Sequence, residues 1–168
     1  SASLVGSEMC IRDSYKTVDG TPEQLEAIAD QTKALSLVIP STTTEIAAVA
    51  EAAGQLGIAT EDIMGFTEVM INLGESTNLS SDEAASSLAK FANITKMSAA
   101  YYENLGSTVV ALGNNFATTE ADIVAMSTRM ASAGSLAGLS EPEILALATA
   151  VSSVGIEADA GGSSMSTL

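Results

Sequence analysis

Gly113-Asn114-Asn115-Phe116-Ala117-Thr118-Thr119-Glu120-Ala121-Asp122-Ile123 and Gly138-Leu139-Ser140-Glu141-Pro142-Glu143-Ile144-Leu145 decide how this chain is read. Each stretch holds a stop followed by a start. A glycine closes one apolar run, because it enters left-handed backbone without steric cost at a helix end. A hydroxyl residue then opens the next run, with acids just behind it. At an N-cap that hydroxyl accepts from the free N–H groups of the first turn, and a Glu three residues on returns the bond. Ser153-Val154-Gly155-Ile156-Glu157-Ala158-Asp159-Ala160-Gly161-Gly162 repeats the punctuation further along. These are helix boundaries in order, with no catalytic residue among them.

Working outward, the same grammar predicts helix after helix from Thr21 onward. Thr21-Pro22-Glu23-Gln24 is a capping box with Pro at the first helical position. Leu25, Ile28, Thr32 and Leu35 follow along one face, and Pro40 ends the element. Thr42 with Glu45 opens a second helix through Ile46, Val49, Ala53 and Leu56, stopped by Gly57. Thr60 opens a third, carrying Ile63, Phe66, Met70 and Leu73; Ser80 with Glu83 opens a fourth, carrying Leu88, Phe91 and Ile94. Ser98 opens a fifth, with Tyr102, Leu105, Val109 and Leu112 in register before Gly113. Thr119 opens a sixth through Ile123, Met126 and Met130. Ser140 with Glu143 opens a seventh through Ile144, Leu147, Ala148 and Val151, stopped by Gly155. The fold class expected is all-α, a compact array of about seven helices stacked as hairpins with no sheet.

Two pairs of stretches recur in spacing. Asp62-Ile63, Met70, Gly74, Leu79-Ser80 and Glu83 return as Asp122-Ile123, Met130, Gly134, Leu139-Ser140 and Glu143. Glu45-Ile46 to Gly57-Ile58 has the spacing of Glu143-Ile144 to Gly155-Ile156. Shared caps, anchors and stops are what a repeated helix-pair unit encodes; convergence in an Ala/Ser/Thr-rich chain is the alternative. One continuous helix of this length would extend roughly 250 Å. The caps and glycines break it into ordinary globular lengths, so the segment folds back on itself and is not a rod.

Composition narrows the function. The chain has 168 residues, a formal net charge of −15, no His, no Trp and one Cys. Without His the commonest general base and transition-metal ligand are missing. A strongly acidic chain with scattered bases repels nucleic-acid phosphates. A single cysteine, Cys10, forms no internal disulfide, and no apolar run has the length of a bilayer span.

Each candidate for chemistry has a simpler structural reading. Ser80-Ser81-Asp82-Glu83 and Ser140-Glu141-Pro142-Glu143 set a serine beside carboxylates, but no His or Lys stands ready to activate it, and the spacing is that of a capping box. Glu61-Asp62 and Glu120-Ala121-Asp122 would need a facing carboxylate across an aromatic-lined cleft to cleave sugars; they read as first-turn acids. Asp159-Ala160-Gly161-Gly162 is too short for a calcium loop. Gly106-Ser107 and Gly113-Asn114-Asn115 lack the phosphate-loop lysine. Tyr102 reads as core, and the methionines as gap fillers. No catalytic, cofactor-binding or metal-binding residue is expected, and no cofactor.

From about Asp19 onward the chain resembles the core region of tailed-phage tail tape measure proteins, also called phage minor tail proteins. The resemblance is carried by Tyr101-Tyr102-Glu103-Asn104-Leu105-Gly106-Ser107-Thr108-Val109-Val110-Ala111-Leu112 and the capped segments quoted at the outset. It implies a structural, non-enzymatic virion protein, held in the tail tube lumen, assembled in the host cytoplasm and released ahead of DNA. The full-length chain would set tail length. Implied partners are other copies of itself, tail tube and tail tip proteins and tail assembly chaperones, without specific nucleic-acid binding or a membrane span. An acidic lining that does not grip passing DNA suits that place. A helical adaptor or effector domain is the alternative, and a lytic enzyme domain a more distant one. Residues 1–14 resemble a translated sequencing-library adapter and are expected to be a disordered, non-native leader. Residues 15–168 are expected to be the helical tape-measure core, cut short at its C-terminus.

Overall fold

The computed structural model describes residues 2–155. The end of the punctuated stretch from Ile156 to Gly162, including Asp159-Ala160-Gly161-Gly162, lies outside the described residues. Within them the chain is all-α, with no strand. The helices are α1 (Ala2–Ser14), α2 (Pro22–Ser36), α3 (Thr43–Gln55), α4 (Ile63–Ser76), α5 (Ser81–Thr95), α6 (Tyr102–Asn115), α7 (Glu120–Leu136) and α8 (Glu141–Ser153). Short 3-10 turns at Tyr15–Thr17, Thr60–Asp62 and Ala99–Tyr101 precede α2, α4 and α6.

Caps set these boundaries as expected in five places. Thr21, Thr42, Ser80 and Ser140 each close a complete capping box, with Gln24, Glu45, Glu83 and Glu143 as the returning partners. Thr119 accepts from the Asp122 N–H at 3.2 Å. Two expected caps behave differently. Thr60 and Ser98 lead into 3-10 turns and make no cap bond; the Thr60 hydroxyl donates instead to the Asp19 carbonyl, tying the start of α4 to the α1–α2 connection. Gly57, Gly138 and Gly155 take the positive φ of helix stops. Gly113 does not: α6 runs past it to Asn115, and a Cβ there would lie 2.5 Å from Glu120 Cδ. Its smallness serves the close approach of two helices.

The helices alternate between two layers. In one, α2 packs on α4, α4 on α6 and α6 on α8; in the other, α3 packs on α5 and α5 on α7. Sequential pairs, α2–α3, α4–α5, α6–α7 and α7–α8, join the layers. The starts Thr60, Ile63 and Ser81 recur at one constant interval as Ala99, Tyr102 and Glu120. Between the layers Ile46, Ile63, Phe66, Met70, Leu88, Phe91, Ile123, Met126 and Ile144 are fully buried. Phe66 and Tyr102 meet edge to face at 5.3 Å between ring centroids, a favoured aromatic geometry. Helix α4 is apolar on several faces because it touches α2, α3, α5 and α6. Ile71 is buried, and Met64 and Val69 are half-buried against the core. The apolar residues of α4 are thus largely covered within one chain.

Residues 2–14 form helix α1, and α1 packs on α2 and α3. Ile11, Tyr15 and Val18 step by four and three, so a helix followed by a tight turn sets all three against the body, where each is buried. Thr32 donates its one hydroxyl proton to the Ile28 carbonyl at 2.8 Å. The Tyr15 hydroxyl must therefore be the donor in the Tyr15–Thr32 bond. Lys33 pairs with Glu8 at 2.9 Å. Cys10 is exposed and unpaired.

Candidate functional surface

The serines that stood beside carboxylates in the sequence are occupied as caps. Ser80 Oγ accepts from the Glu83 N–H at 3.3 Å and donates to Glu83 Oε2 at 2.9 Å. Ser140 Oγ accepts from the Glu143 N–H at 3.4 Å, and its own N–H donates to Glu83's counterpart, Glu143 Oε2, at 2.9 Å. Held this way, the hydroxyls face their own first turns. Among the described residues no group of three or more Asp, Glu or Cys is placed to hold a metal ion. The buried hydroxyls of Thr32, Ser127 and Thr149 each bond a carbonyl one turn back. Thr67 Oγ1 is buried with no partner; nothing in its surroundings explains it.

Tertiary packing assembles something the sequence did not show. The outer face of the α2–α4–α6 layer carries three clefts. One lies on the α2 side of α4, between the last turns of α2 and the first turns of α4, lined by Leu35, Val38 and Met64. Two lie on the α6 side: one at the starts of α4 and α6, lined by Glu61, Asp62, Glu103 and Tyr102, and one of about 500 Å³ along the α4–α6 seam over Leu73, Val110 and Ala111. These two share Val69, Asn72 and Glu103 and form a groove along α4, with Gly65 and Glu68 between it and the α2-side cleft. Glu61 and Asp62, read from sequence as first-turn acids alone, thus share a cleft with Glu68 and Glu103. Glu120 and Asp122 are not part of it; they sit at the start of α7. Glu61, Asp62 and Glu68 are grouped by α4 itself, and folding brings Glu103 of α6 beside them.

The electrostatics of the groove are one-signed. None of the described residues lining the three clefts is Lys or Arg. The described bases lie elsewhere, at Arg12, Lys16, Lys33, Lys90, Lys96 and Arg129. Burial raises the Tyr102 hydroxyl above its ordinary value, and the charge of Asp62 adds to the rise. Tyr102 is therefore neutral across the physiological range, with its ring set into the core.

These features define a class: a two-layered helical array whose serines beside carboxylates, Ser80 and Ser140, cap helices. The comparison with protein families specifies it further. The profile of the phage-related minor tail proteins matches residues 29–168, and the chain belongs to that family. No curated protein and no solved structure matches it. Membership places the chain among phage tail structural proteins associated with the virion. No helix among the described residues is long and apolar enough to cross a membrane.

Proposed function

We propose that this chain is a folded part of a tail tape measure protein, the component that sets tail length during assembly and leaves the tube ahead of DNA. The observation that carries the reading is the match to the minor tail family over residues 29–168, on a fold made only of capped helices. The acidic charge of −15 supports a place in a tube through which DNA passes, since such a surface repels phosphates. The array is a compact body, so length would be measured by other parts of the full chain. The starts Thr60, Ile63 and Ser81, which recur at one interval as Ala99, Tyr102 and Glu120, support growth of the array by helix-pair duplication; the Asp62–Glu83 pattern, by contrast, recurs at Asp122–Glu143 between helices of different layers. Tail tube, tail tip and chaperone proteins are the partners this reading implies. No reaction is assigned to the chain. We infer from their adapter-like string that residues 1–14 come from outside the family's own sequence; the family match begins at residue 29 and so leaves residues 15–28 outside it as well.

The test is genetic. In a phage carrying this sequence, in-frame deletions in the rest of the gene should shorten tails in proportion to the residues removed, as measured by electron microscopy. Deletion of residues 21–155 should block assembly without a proportional shortening. Tails of unchanged length in both cases would defeat the length-setting role and leave another minor tail function.

A further inference from the structure

The groove over α4 passes Gly65, which lines both the α2–α4 cleft and the acidic cleft beside α6. It is an exposed glycine inside a helix, and a Cβ placed on it meets nothing within 4 Å. Its φ is ordinary for a helix, being absent from the positive-φ glycines. The glycines at Gly74, Gly106, Gly113 and Gly134 each have a neighbour that a Cβ would strike within 3.0 Å. Gly65, in the first turn of α4, has none, as is also true of Gly6 in α1. At Gly65 the open space belongs to the cleft, so a side chain placed there would project into it.

The chemistry around that opening is specific. The floor along the α4–α6 seam is apolar, over Val69, Leu73 and Val110. The rim carries Glu61, Glu68 and Glu103, all exposed, and no base. A second copy of this chain does not fit. With 21 acids against six bases it offers no cationic row to set between those carboxylates, and like charges oppose the approach. Nucleic acid is excluded by the same sign. We propose that the groove docks an amphipathic helix of another protein, one that sets an apolar stripe on the floor and lysines or arginines against the rim. Helix-in-groove recognition reads an apolar stripe in this way, and the charges select the partner and speed its arrival. From Glu61 to Ser76 the groove follows α4, which suits a partner helix of about fifteen residues at ~1.5 Å each. This inference stands apart from the length-setting role and survives its failure.

The experiment uses the whole chain and a labelled synthetic helix of about fifteen residues, with leucines on one face and lysines on the other. Binding is followed by fluorescence anisotropy. Two control peptides are included: one with the same composition but scattered leucines, and one with glutamates in place of the lysines. Both should bind far more weakly. Gly65→Trp fills the cleft and should weaken binding roughly tenfold or more, with helicity and melting retained. The pair Glu68→Lys and Glu103→Lys should weaken it to a similar degree. The pair Glu26→Lys and Glu75→Lys makes the same change in net charge on exposed positions outside the groove, and should leave affinity within about twofold. Equal losses from the two pairs would overturn the proposal in favour of attraction to net charge alone. Unchanged binding by Gly65→Trp would overturn it too; if that variant misfolds, the comparison of the two charge pairs decides.

Discussion

Helices α1 and α8 are both 13 residues long, and each packs at one end of the described array. They are held by different means. Helix α8 is specified locally: Ser140 and Glu143 close a capping box, Pro142 sits in the first turn, and acids face the positive end of the helix dipole. It then buries Ile144, Leu145, Ala148 and Thr149 against α6 and α7. Helix α1 has no acid in its first turn and a weak apolar bias, and it is secured near its C-terminal end by Ile11, by the neighbouring Tyr15 and by the Glu8–Lys33 pair. An exposed ion pair of that kind adds little. The difference teaches that an element can be helical because its own sequence asks for it, or because a body offers it one apolar slot.

The sharpest way to break the comparison is Ile144→Ala. Ile144 is fully buried and lies against Gly134, whose missing Cβ leaves 2.8 Å to Ile144 Cγ1. We expect a loss of about 4 kcal/mol, since a closely fitted site collapses poorly. Ile11→Ala should cost less, about 2 kcal/mol, because a helix held at one end can shift to close the gap. Urea unfolding measures both; a cost at Ile11 equal to that at Ile144 would erase the distinction between the two ends. Hydrogen exchange should agree, with amides of α1 opening well before those of α8.

Removing the local signal itself should cost less again. Ser140→Ala takes away a cap and should lower stability by about 1 kcal/mol, read from the denaturant midpoint. No turnover should be affected, since the hydroxyl is engaged by Glu143. The smallest effect concerns alkaline pH. Burial raises the hydroxyl of Tyr15, which sits where α1 meets the body, above its ordinary value of 10.0. Unfolded Tyr15 loses its proton near that value while the folded form keeps it, so stability is full below pH 10.0 and falls as pH rises past it. Tyr15→Phe should flatten part of that decline. Stability curves at neutral pH and above pH 10 would show it, and an unchanged alkaline slope would place the titration elsewhere.

Much of the fold was legible. The seven helices from Thr21 on were visible because hydroxyl–acid pairs and glycines act within a single turn, and because apolar residues stepped by three and four. Thr60 and Ser98 misled because the same hydroxyl can start a 3-10 turn, and its bond then goes to a neighbour such as the Asp19 carbonyl. Gly113 misled because a helix stop and a close helix contact both call for a missing Cβ. Helix α1 escaped notice because one buried Ile with a Tyr four residues on makes no period in a short string. The groove was not legible at all: Gly65, Glu68 and Glu103 carry no shared motif.

The sequence by itself determined the class of fold and the five helix starts capped by Thr21, Thr42, Ser80, Thr119 and Ser140, because capping and helical periodicity are short-range. Tertiary structure alone decided which helices share a layer, that α1 is captured by α2 and α3, and that distant carboxylates and an open glycine line one groove. Those outcomes depend on contacts between residues far apart in the chain, whose geometry is set only when the apolar faces close on one another.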